Sequence, residues 1–586
     1  MKIYKDDYKH FRTCQKLAWF LSEKHYHLAK KLIDDKLIVN FIELTNTKTS
    51  SKINGFEAKF ETEEQIRTVT DLDYLNFEDQ EFQEEVSDDF YAGETIADGL
   101  ETGHYAQEYF MQDYQCFNFE TQQTNNQSEI LNDKKYQVFF EPRFEYNSCV
   151  TKCDILKRNG SGWDLIEVKA VTWVKEEHMW DLLYQYDILT KCGLDIVNVY
   201  IMYLNNDYIR KEKLDLKALF IANGSTWQKS NKTKKSFSLY QSIQEELVDH
   251  HLAQEYQTIA DILAIADEQE ALKLLTNKYC DAKQQQYCFH IFNYFDRYNT
   301  IFELYRLRKK KKAFWYYEHD LLSLQDERLL TFVVDSKLHY RQYQIANHGE
   351  QVINLSYLNQ LKSELSKYQY PVYMYDFETM KSAIPKFINS KSYQQIPFQY
   401  SVHVLLGPDF DFKTNQNIKH YQFLADGTND PRKEVVSHLC HDLIAIHGLG
   451  TYVAYNQSFE KSVLKKLMFN FKDYYHELEK IFNRTIDLQD FFKDFKIYKS
   501  SFAGSLSIKK TLPAFDSNFS YQDLAIQKGD MASEVFRRRV ENNISLKNWQ
   551  ENFYQNMLDY CTRDTLGMVV LFWHIKHLIE NNQEIK

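Results

Sequence analysis

The chain has 586 residues, 44% hydrophobic and 16% aromatic, too long for a single core and too apolar for wholesale disorder. Its formal charge of -12, from 71 basic and 83 acidic residues, argues at first sight against a nucleic-acid partner. The charge is local: residues 61–98 hold 14 Asp or Glu against Arg67 alone, a net of -13, which leaves +1 for the rest.

The start, MKIYKDDYKHFRTCQKLAWF, carries charges where a signal peptide needs an apolar run. No stretch approaches the roughly 20 apolar residues of a membrane span, and nine scattered cysteines do not make a disulfide framework. The expectation is a cytoplasmic protein without a membrane partner. Residues 61–98 are too acidic to bury much and read as a solvated insertion. Next, GLETGHYAQEYF sets Gly103, Ala106 and Phe110 on one helical face. From Tyr136 onward, apolar runs broken by Asn159-Gly160 and Ser161-Gly162 predict strands joined by a tight turn. A helix at about 176–192 and the strand NVYIMYL follow. Residues 221–365 read as a mainly helical connecting region, because YQSIQEELVDHHLAQEYQTIADILAIADEQEALKLL lacks Gly and Pro. From 366 to 586, strand-like VYMYDF, FQYSVHVLL and GTYVAYN alternate with helix-like SFEKSVLKKLMFNF, an α/β pattern. Basic clusters at Arg306, Arg308 and Lys309 to Lys312, at Lys229 to Lys235 and at Arg537 to Arg539 offer phosphate contacts or form ordinary solvated faces.

Two constellations carry chemistry. In the first, Asp154 lies in TKCDIL and Glu167 and Lys169 lie in LIEVKA, after the predicted turn. Two apart on a strand, Glu167 and Lys169 project to one face. Carboxylates take Mg²⁺ or Mn²⁺ through hard oxygen donors, and a lysine beside them orients water and offsets phosphate charge. An exposed hairpin of alternating charge gives the same letters, so the order of elements matters. A helix bearing Glu108 precedes, a helix bearing Gln185 in LLYQYDIL follows, and a strand comes next. Over residues 90–205 this order resembles the PD-(D/E)XK nucleases of the RecB type. The resemblance implies a restriction-endonuclease-like domain over 1–220, with Asp154 and Glu167 as metal ligands and Lys169 as the catalytic lysine. It also implies Gln185 as a phosphate or water contact and Glu108 as the acidic helix residue, with Glu101 as the alternative there. RecB-type relatives often hold an iron–sulfur cluster by one early and three late cysteines. Cys14, Cys280 and Cys288 are suitably placed and a fourth is missing. A cluster completed by His290, a zinc site and three ordinary buried cysteines all stay open.

In the second, an apolar strand in YPVYMYDFET runs into Asp376 and Glu378, spaced by two. Carboxylates held together at the end of a core strand repel unless cations intervene. A later strand leads to Asn456, with Glu460 at the start of the next helix, and LDYCTRDTLGMVVLFWHI sets Tyr560 and Asp564 one turn apart on one face. This set resembles the DEDD 3′→5′ exonucleases of the tyrosine subtype, which are RNase H-like. The resemblance implies an exonuclease domain over 366–586 in which Asp376, Glu378, Glu460 and Asp564 hold two metals and Tyr560 orients water. The second motif usually ends in Asp, and here it is Glu460. DFET, YQQIPFQYSVH, NQSFE, IDLQDFF, GSLSIKKTLPAF and YCTRDT together resemble a little-characterised bacterial family that fuses a RecB-like nuclease domain to a DEDD-like domain. That likeness adds Asp487 as a supporting acid and Gly504, Ser505 and Lys509 as a substrate-phosphate grip. A serine-capped helix start accounts for GSLSIKK equally well.

The function expected is metal-dependent hydrolysis of nucleic-acid phosphodiesters. Single-stranded ends are the expected partner, since a DEDD site takes the terminal nucleotide alone, with DNA preferred over RNA on the RecB resemblance. A nucleic-acid-binding scaffold with inactive sites and a subunit of a repair or defence assembly are the alternatives.

Overall fold

The computed structural model describes residues 2–20, 22, 96–122, 124, 126–229, 235–249, 251–271, 274, 301–305, 323–349, 351–519, 524–526 and 529–582. They divide into two units of mixed α/β structure. The first takes the described residues up to 274 and Ser382–Gln394, and the second those of Phe295–Lys381 and Gln395–Lys586.

In the first unit, helices α1 (Lys5–Thr13) and α2 (Ile96–Met111) precede β1 (Cys116–Asn118) and β2 (Val138–Phe140). A separate hairpin, β3 (Arg143–Tyr146) with β4 (Cys149–Lys152), comes next, followed by β5 (Ile155–Asn159) and β6 (Gly162–Lys169). Helix α3 (Glu176–Lys191) then crosses to β7 (Ile196–Leu204) and β8 (Phe220–Gly224). The sheet order is β1-β2-β5-β6-β7-β8, with β6 parallel to β7, as a helical crossover requires. The turn read at Asn159-Gly160 forms the β5–β6 hairpin: Asn159 pairs with Gly162 and Gly160 sits at φ +59, where a side chain would be strained.

The two faces of β6 bury different cores. Leu165 packs with Leu182, Leu183 and Tyr184 of α3, whereas Ile166 packs with Ala106 and Phe110 of α2. Glu167 and Lys169 share the Leu165 face by the period of two. The buried Tyr184 hydroxyl donates to the carbonyls of Ile3 (2.6 Å) and Val150 (3.2 Å), and its ring stacks on Tyr8 at 5.5 Å. These contacts fix α1 against α3.

The described residues of the connecting region expected over 221–365 divide between the two units. The hairpin of β9 (Thr226–Gln228) and β10 (Ser236–Ser238), with α4 (Leu239–Asp249) and α5 (Leu252–Ala264), buries Trp227, Ile243 and Ile259 in the first core. Ile345, Ile353 and Leu361 join a core of the second unit. Amphipathic helices bury their apolar stripe on whatever core adjoins them, and helix propensity alone does not tell which. Of the acidic segment 61–98, only 96–98 are described, and there Asp98 is buried and accepts a bond from the Ala383 amide (2.9 Å). No helix among the described residues is long and apolar enough to cross a membrane.

The second unit is built on β11 (Val372–Met380), β12 (Ile396–Leu405), β13 (Ile418–Leu424), β14 (Thr451–Ala454) and β15 (Thr485–Asp487). Their order is β13-β12-β11-β14-β15. Strand β12 alone runs against the rest, since it is antiparallel to β11 and β13 while β14 and β15 are parallel to β11. Helix α6 (Arg432–Cys440) and α7 (Ser458–Asn470) cover one face, and α10 (Tyr554–Asn581) covers the other after α8 (Ile508–Phe515) and α9 (Gly529–Val540). Alternation along β11 sends Tyr373, Tyr375 and Phe377 to the α6–α7 side. Val372 and Met374 go to the α10 side, against Met568 and Phe572. Asp376 and Glu378 continue the Val372–Met374 face.

Gly450 precedes β14 where β11 begins. A Cβ there would lie 1.8 Å from the Pro371 carbonyl oxygen, a backbone atom that no rotamer change relieves. Gly450→Ala is expected to cost about 2–3 kcal/mol, read as a lower urea midpoint with an unchanged slope.

Candidate functional site

In the first unit, the register Ile155↔Ile166 sets Asp154 beside Glu167 across the hairpin, and the Val168 amide donates to Asp154 Oδ2 at 2.6 Å. Glu167 is buried and accepts from three side chains: Lys169 Nζ (2.9 Å) and Lys5 Nζ (2.6 Å) at Oε1, and Gln185 Nε2 (2.6 Å) at Oε2. Asp181, one turn before Gln185 on α3 and fully buried, pairs with Lys169 (2.7 Å) and Lys9 (3.6 Å). Burial pushes the Glu167 carboxyl up, but Lys169 and then Lys5 outweigh it and hold the group well below the usual range. Burial, then the Glu167 charge, raises Asp154 to about 6. Burial, then Asp154, raises Glu141 to about 8, with Lys152 opposing.

Asp154, Glu167, Lys169 and Gln185 therefore come together, and Glu108 does not join them. Helix α2 packs on the Ile166 face, so Glu108 lies across the sheet from Glu167, half exposed and paired with His104 at 3.1 Å. Glu101, the alternative, pairs with Lys386 at 2.6 Å. Lys5, Asp181 and Glu141 escaped the sequence reading. Lys5 and Glu141 sit in segments that look like ordinary solvated charge, although Asp181 is four before Gln185 and so shares its helical face. Cys14 is buried just after α1, while Cys280, Cys288 and His290 lie outside the described residues.

In the second unit, Asp376 and the buried Glu378 stand near the end of β11. Glu460, 2% exposed in the first turn of α7, reaches hydrogen-bonding range of Asp376. Burial, then the Asp376 charge, pushes its carboxyl well up. Its Oε2 is buried with no hydrogen-bond partner among the described residues. Buried Tyr560 and half-buried Asp564 share a face of α10. Cys561 lies between them, fully buried, and its thiol is raised by burial and then by the charges of Glu378, Asp376 and Asp564. One ligand atom from each of Asp376, Glu378 and Cys561 falls within 4.8 Å of the others. A Cβ on Gly529, the first residue of α9, would lie 3.3 Å from Glu378 Oε2 and 3.8 Å from the Tyr560 hydroxyl, so the amino end of that helix faces the carboxylates. A spacing argument on YCTRDT reaches Tyr560 and Asp564 but passes over the cysteine between them.

Asp487, buried at the end of β15, accepts from the amides of Asn456 (2.9 Å) and Gln489 (3.0 Å) and from Lys493 (3.2 Å). Asn456 sits at φ +66, and its side chain accepts from the Ser458 hydroxyl (2.8 Å). Ser505 accepts from the Ser507 amide (3.2 Å), and Ser507 caps α8 by accepting from the Lys509 amide (3.3 Å). Gly504 is at φ +74, where a Cβ would strike the Glu303 carbonyl oxygen at 1.7 Å. The Arg537 to Arg539 cluster is not a free basic face. Arg537 is buried against Glu534 and Glu541, Arg538 pairs with Glu534, and buried Arg539 donates to the Asp426 and Ile544 carbonyls.

The donor set of the second unit fits a divalent cation, with ligand atoms of Asp376, Glu378 and Cys561 within 4.8 Å of one another. In each unit several carboxylates meet at the end of a central strand, and in the second a buried carboxyl oxygen has no other described partner. The class these features define is a two-unit mixed α/β protein with a carboxylate cluster on each central sheet. Residues 373–507 match a family described as a domain of unknown function, DUF2779; the match takes in Asp376, Glu378, Glu460 and Asp487 and stops before Tyr560 and Asp564. The chain is similar to "Uncharacterized protein MG366" of Mycoplasma genitalium, 23% identical over 545 residues, covering 78% of this chain and 80% of the relative. It is also similar to "Uncharacterized protein MG366 homolog" of Mycoplasma pneumoniae, 24% identical with 77% and 80% covered. The third is "Uncharacterized protein UU173" of Ureaplasma parvum, 22% identical with 77% and 79% covered. No solved structure matches.

Proposed function

We propose that the chain is a metal-dependent nuclease with two separate sites, an RNase H-like 3′→5′ exonuclease site in the second unit and a PD-(D/E)XK-like site in the first. The observation that carries this reading is the meeting, at one end of β11, of Asp376, Glu378, Glu460 and the α10 face bearing Tyr560 and Asp564. The order β13-β12-β11-β14-β15 with β12 alone reversed supports the RNase H-like assignment. The succession α2, sheet hairpin, α3, β7 supports the other.

Bound divalent cations supply the Lewis acidity that such hydrolysis needs. The residues do the rest. Asp376, Glu378, Glu460 and Asp564 would hold the ions, and the Tyr560 hydroxyl, next to Glu378 and the start of α9, orients the attacking water. The amino end of α9 adds positive potential where phosphate charge collects. In the first site Asp154 and Glu167 would hold the ion, Gln185 fixes Glu167 from the far oxygen, and Lys169, held between Glu167 and Asp181, is the catalytic lysine of this reading. Nucleic acid with single-stranded ends is the proposed partner, and Mg²⁺ or Mn²⁺ the proposed cofactor.

The test uses purified full-length protein on end-labelled single-stranded and duplex DNA and RNA, with Mg²⁺, Mn²⁺ or EDTA. Stepwise shortening from the 3′ end, lost in EDTA, is expected. A protein that binds these nucleic acids yet cleaves none with either metal is a scaffold, and the proposal fails.

A pH effect follows from the first site. The folded-state values of Asp154, about 6, and Glu141, about 8, are raised, so the folded protein holds these protons more tightly than the unfolded chain. That stability is full below the ordinary carboxylate range and lost as pH rises through about 6 and then about 8. Cations need the ionised groups. Mg²⁺ is therefore expected to raise the melting temperature more at about pH 8.5 than at about pH 5.5. Equal shifts at both, in thermal unfolding scans, would count against cation binding by these groups.

A further inference from the structure

Cys561 has no task in the proposed hydrolysis, yet its Sγ lies within 4.8 Å of carboxylate oxygens of both Asp376 and Glu378. Oxygen donors alone suit Mg²⁺ or Mn²⁺, whereas a thiolate among them shifts preference toward zinc-like ions. Ligand atoms around tetrahedral Zn²⁺, at about 2.0–2.3 Å from the ion, lie roughly 3.3–3.8 Å apart. The three atoms lie within 4.8 Å of one another, and side-chain rotations would bring them in to that spacing. A second, independent observation stands beside it: Glu460, 2% exposed, has a buried Oε2 without a hydrogen-bond partner among the described residues, and its carboxyl adjoins that of Asp376.

We propose that Cys561, Asp376 and Glu378 form a mixed sulfur and oxygen site for a thiophilic divalent cation of the Zn²⁺ class. On binding, the Cys561 S–H bond breaks, its proton leaves to solvent, and the sulfur lone pair goes to the ion. The binding half of the inference stands on the donor set alone. A second consequence rests on the exonuclease reading: Zn²⁺ takes Asp376 and Glu378 from the hard cation and holds the site inactive.

The test titrates the full chain with Cd²⁺, which gives an ultraviolet charge-transfer band when thiolate binds, and with Zn²⁺ by calorimetry. Cys561→Ser should remove the band and weaken Zn²⁺ binding at least ~100-fold, since even outer-shell losses cost up to that much. Asp376→Asn, at a half-buried position, should weaken Zn²⁺ while leaving the fold intact by circular dichroism. Cys440→Ser, a cysteine in the α6 core, should change neither. A band that survives in Cys561→Ser, or Zn²⁺ affinity unchanged in Asp376→Asn, overturns the site. Tight Zn²⁺ binding through Cys561 in a protein that never cleaves nucleic acid would uphold the site and sink the exonuclease reading instead.

Discussion

Glu460→Gln is expected to slow 3′-end shortening on the order of 100-fold or more, as losses of transition-state charge stabilisation do. The side chain begins α7 at the end of the β14 connection and is buried against Asp376, so an ion held by Asp376 also draws on this carboxylate. Glutamine matches its size and can fill the same space, but it removes an anionic oxygen that cations of this class require. Burial and the Asp376 charge already push the Glu460 carboxyl toward its protonated form, so without a cation the neutral amide is a close substitute. Urea unfolding should accordingly show little loss of stability, and even a small gain. Glu460→Asp keeps the charge one methylene shorter and should retain measurable activity, because Asp is usual at this place in the DEDD pattern. If single-turnover rates with Mn²⁺ are the same for Glu460→Gln and the parent, Glu460 is only a first-turn acid favoured by the helix dipole, and the second motif is lost from the assignment.

How much of this was legible in the sequence depends on whether a residue's partners lie near it in the chain. Asp376 and Glu378 announce themselves because a strand with period two and an apolar lead-in places both on one face. Tyr560 and Asp564 do so through helical spacing, and the β5–β6 hairpin does so through its Asn-Gly turn. The strands VYMYDF, FQYSVHVLL and GTYVAYN and the helix SFEKSVLKKLMFNF fall where the structure has them, within about three residues. What failed were questions of long-range packing. Glu108 entered only as the acidic helix residue that the RecB-type resemblance implies, with Glu101 as the alternative. Only the division of β6 between the Leu165 and Ile166 faces shows that α2 lies on the wrong side. Lys5 reaches Glu167 from 162 residues away because Tyr184 holds the Ile3 carbonyl, a contact that no local pattern encodes. Asp98 belonged to a segment whose charge suggested solvent, yet the Ala383 amide from the β11–β12 connection binds it. The run Arg537 to Arg539 stayed open between a phosphate contact and an ordinary solvated face until its acids, Glu534 and Glu541, and the carbonyls around it were in view.

Lys169→Ala is expected to abolish the proposed first-site cleavage and to destabilise the first unit by about 3–5 kcal/mol. Lys169 bridges Glu167 (2.9 Å) and Asp181 (2.7 Å), two buried carboxylates. Without it Asp181 keeps, among the described residues, Lys9 at 3.6 Å and the more distant charge of Lys5, and a buried charge without a close partner is costly. Loss of cleavage in this variant is therefore ambiguous by itself, and a cleaner partner is needed. Asp154→Asn supplies it. The half-buried Asp154 accepts from the Val168 amide at 2.6 Å, and an asparagine oxygen accepts the same bond, so the hairpin keeps its shape while the ligand charge disappears. Removing a carboxylate that Glu167 repels should leave stability unchanged or slightly higher. Asp154→Asn should thus lose first-site products with an unshifted melting curve, and both variants should keep 3′-end shortening, which Asp376→Ala alone removes. Should Asp376→Ala and Asp154→Asn each eliminate every product on single-stranded and duplex DNA and RNA, cleavage belongs to one composite activity, and the division into two independent sites must be given up.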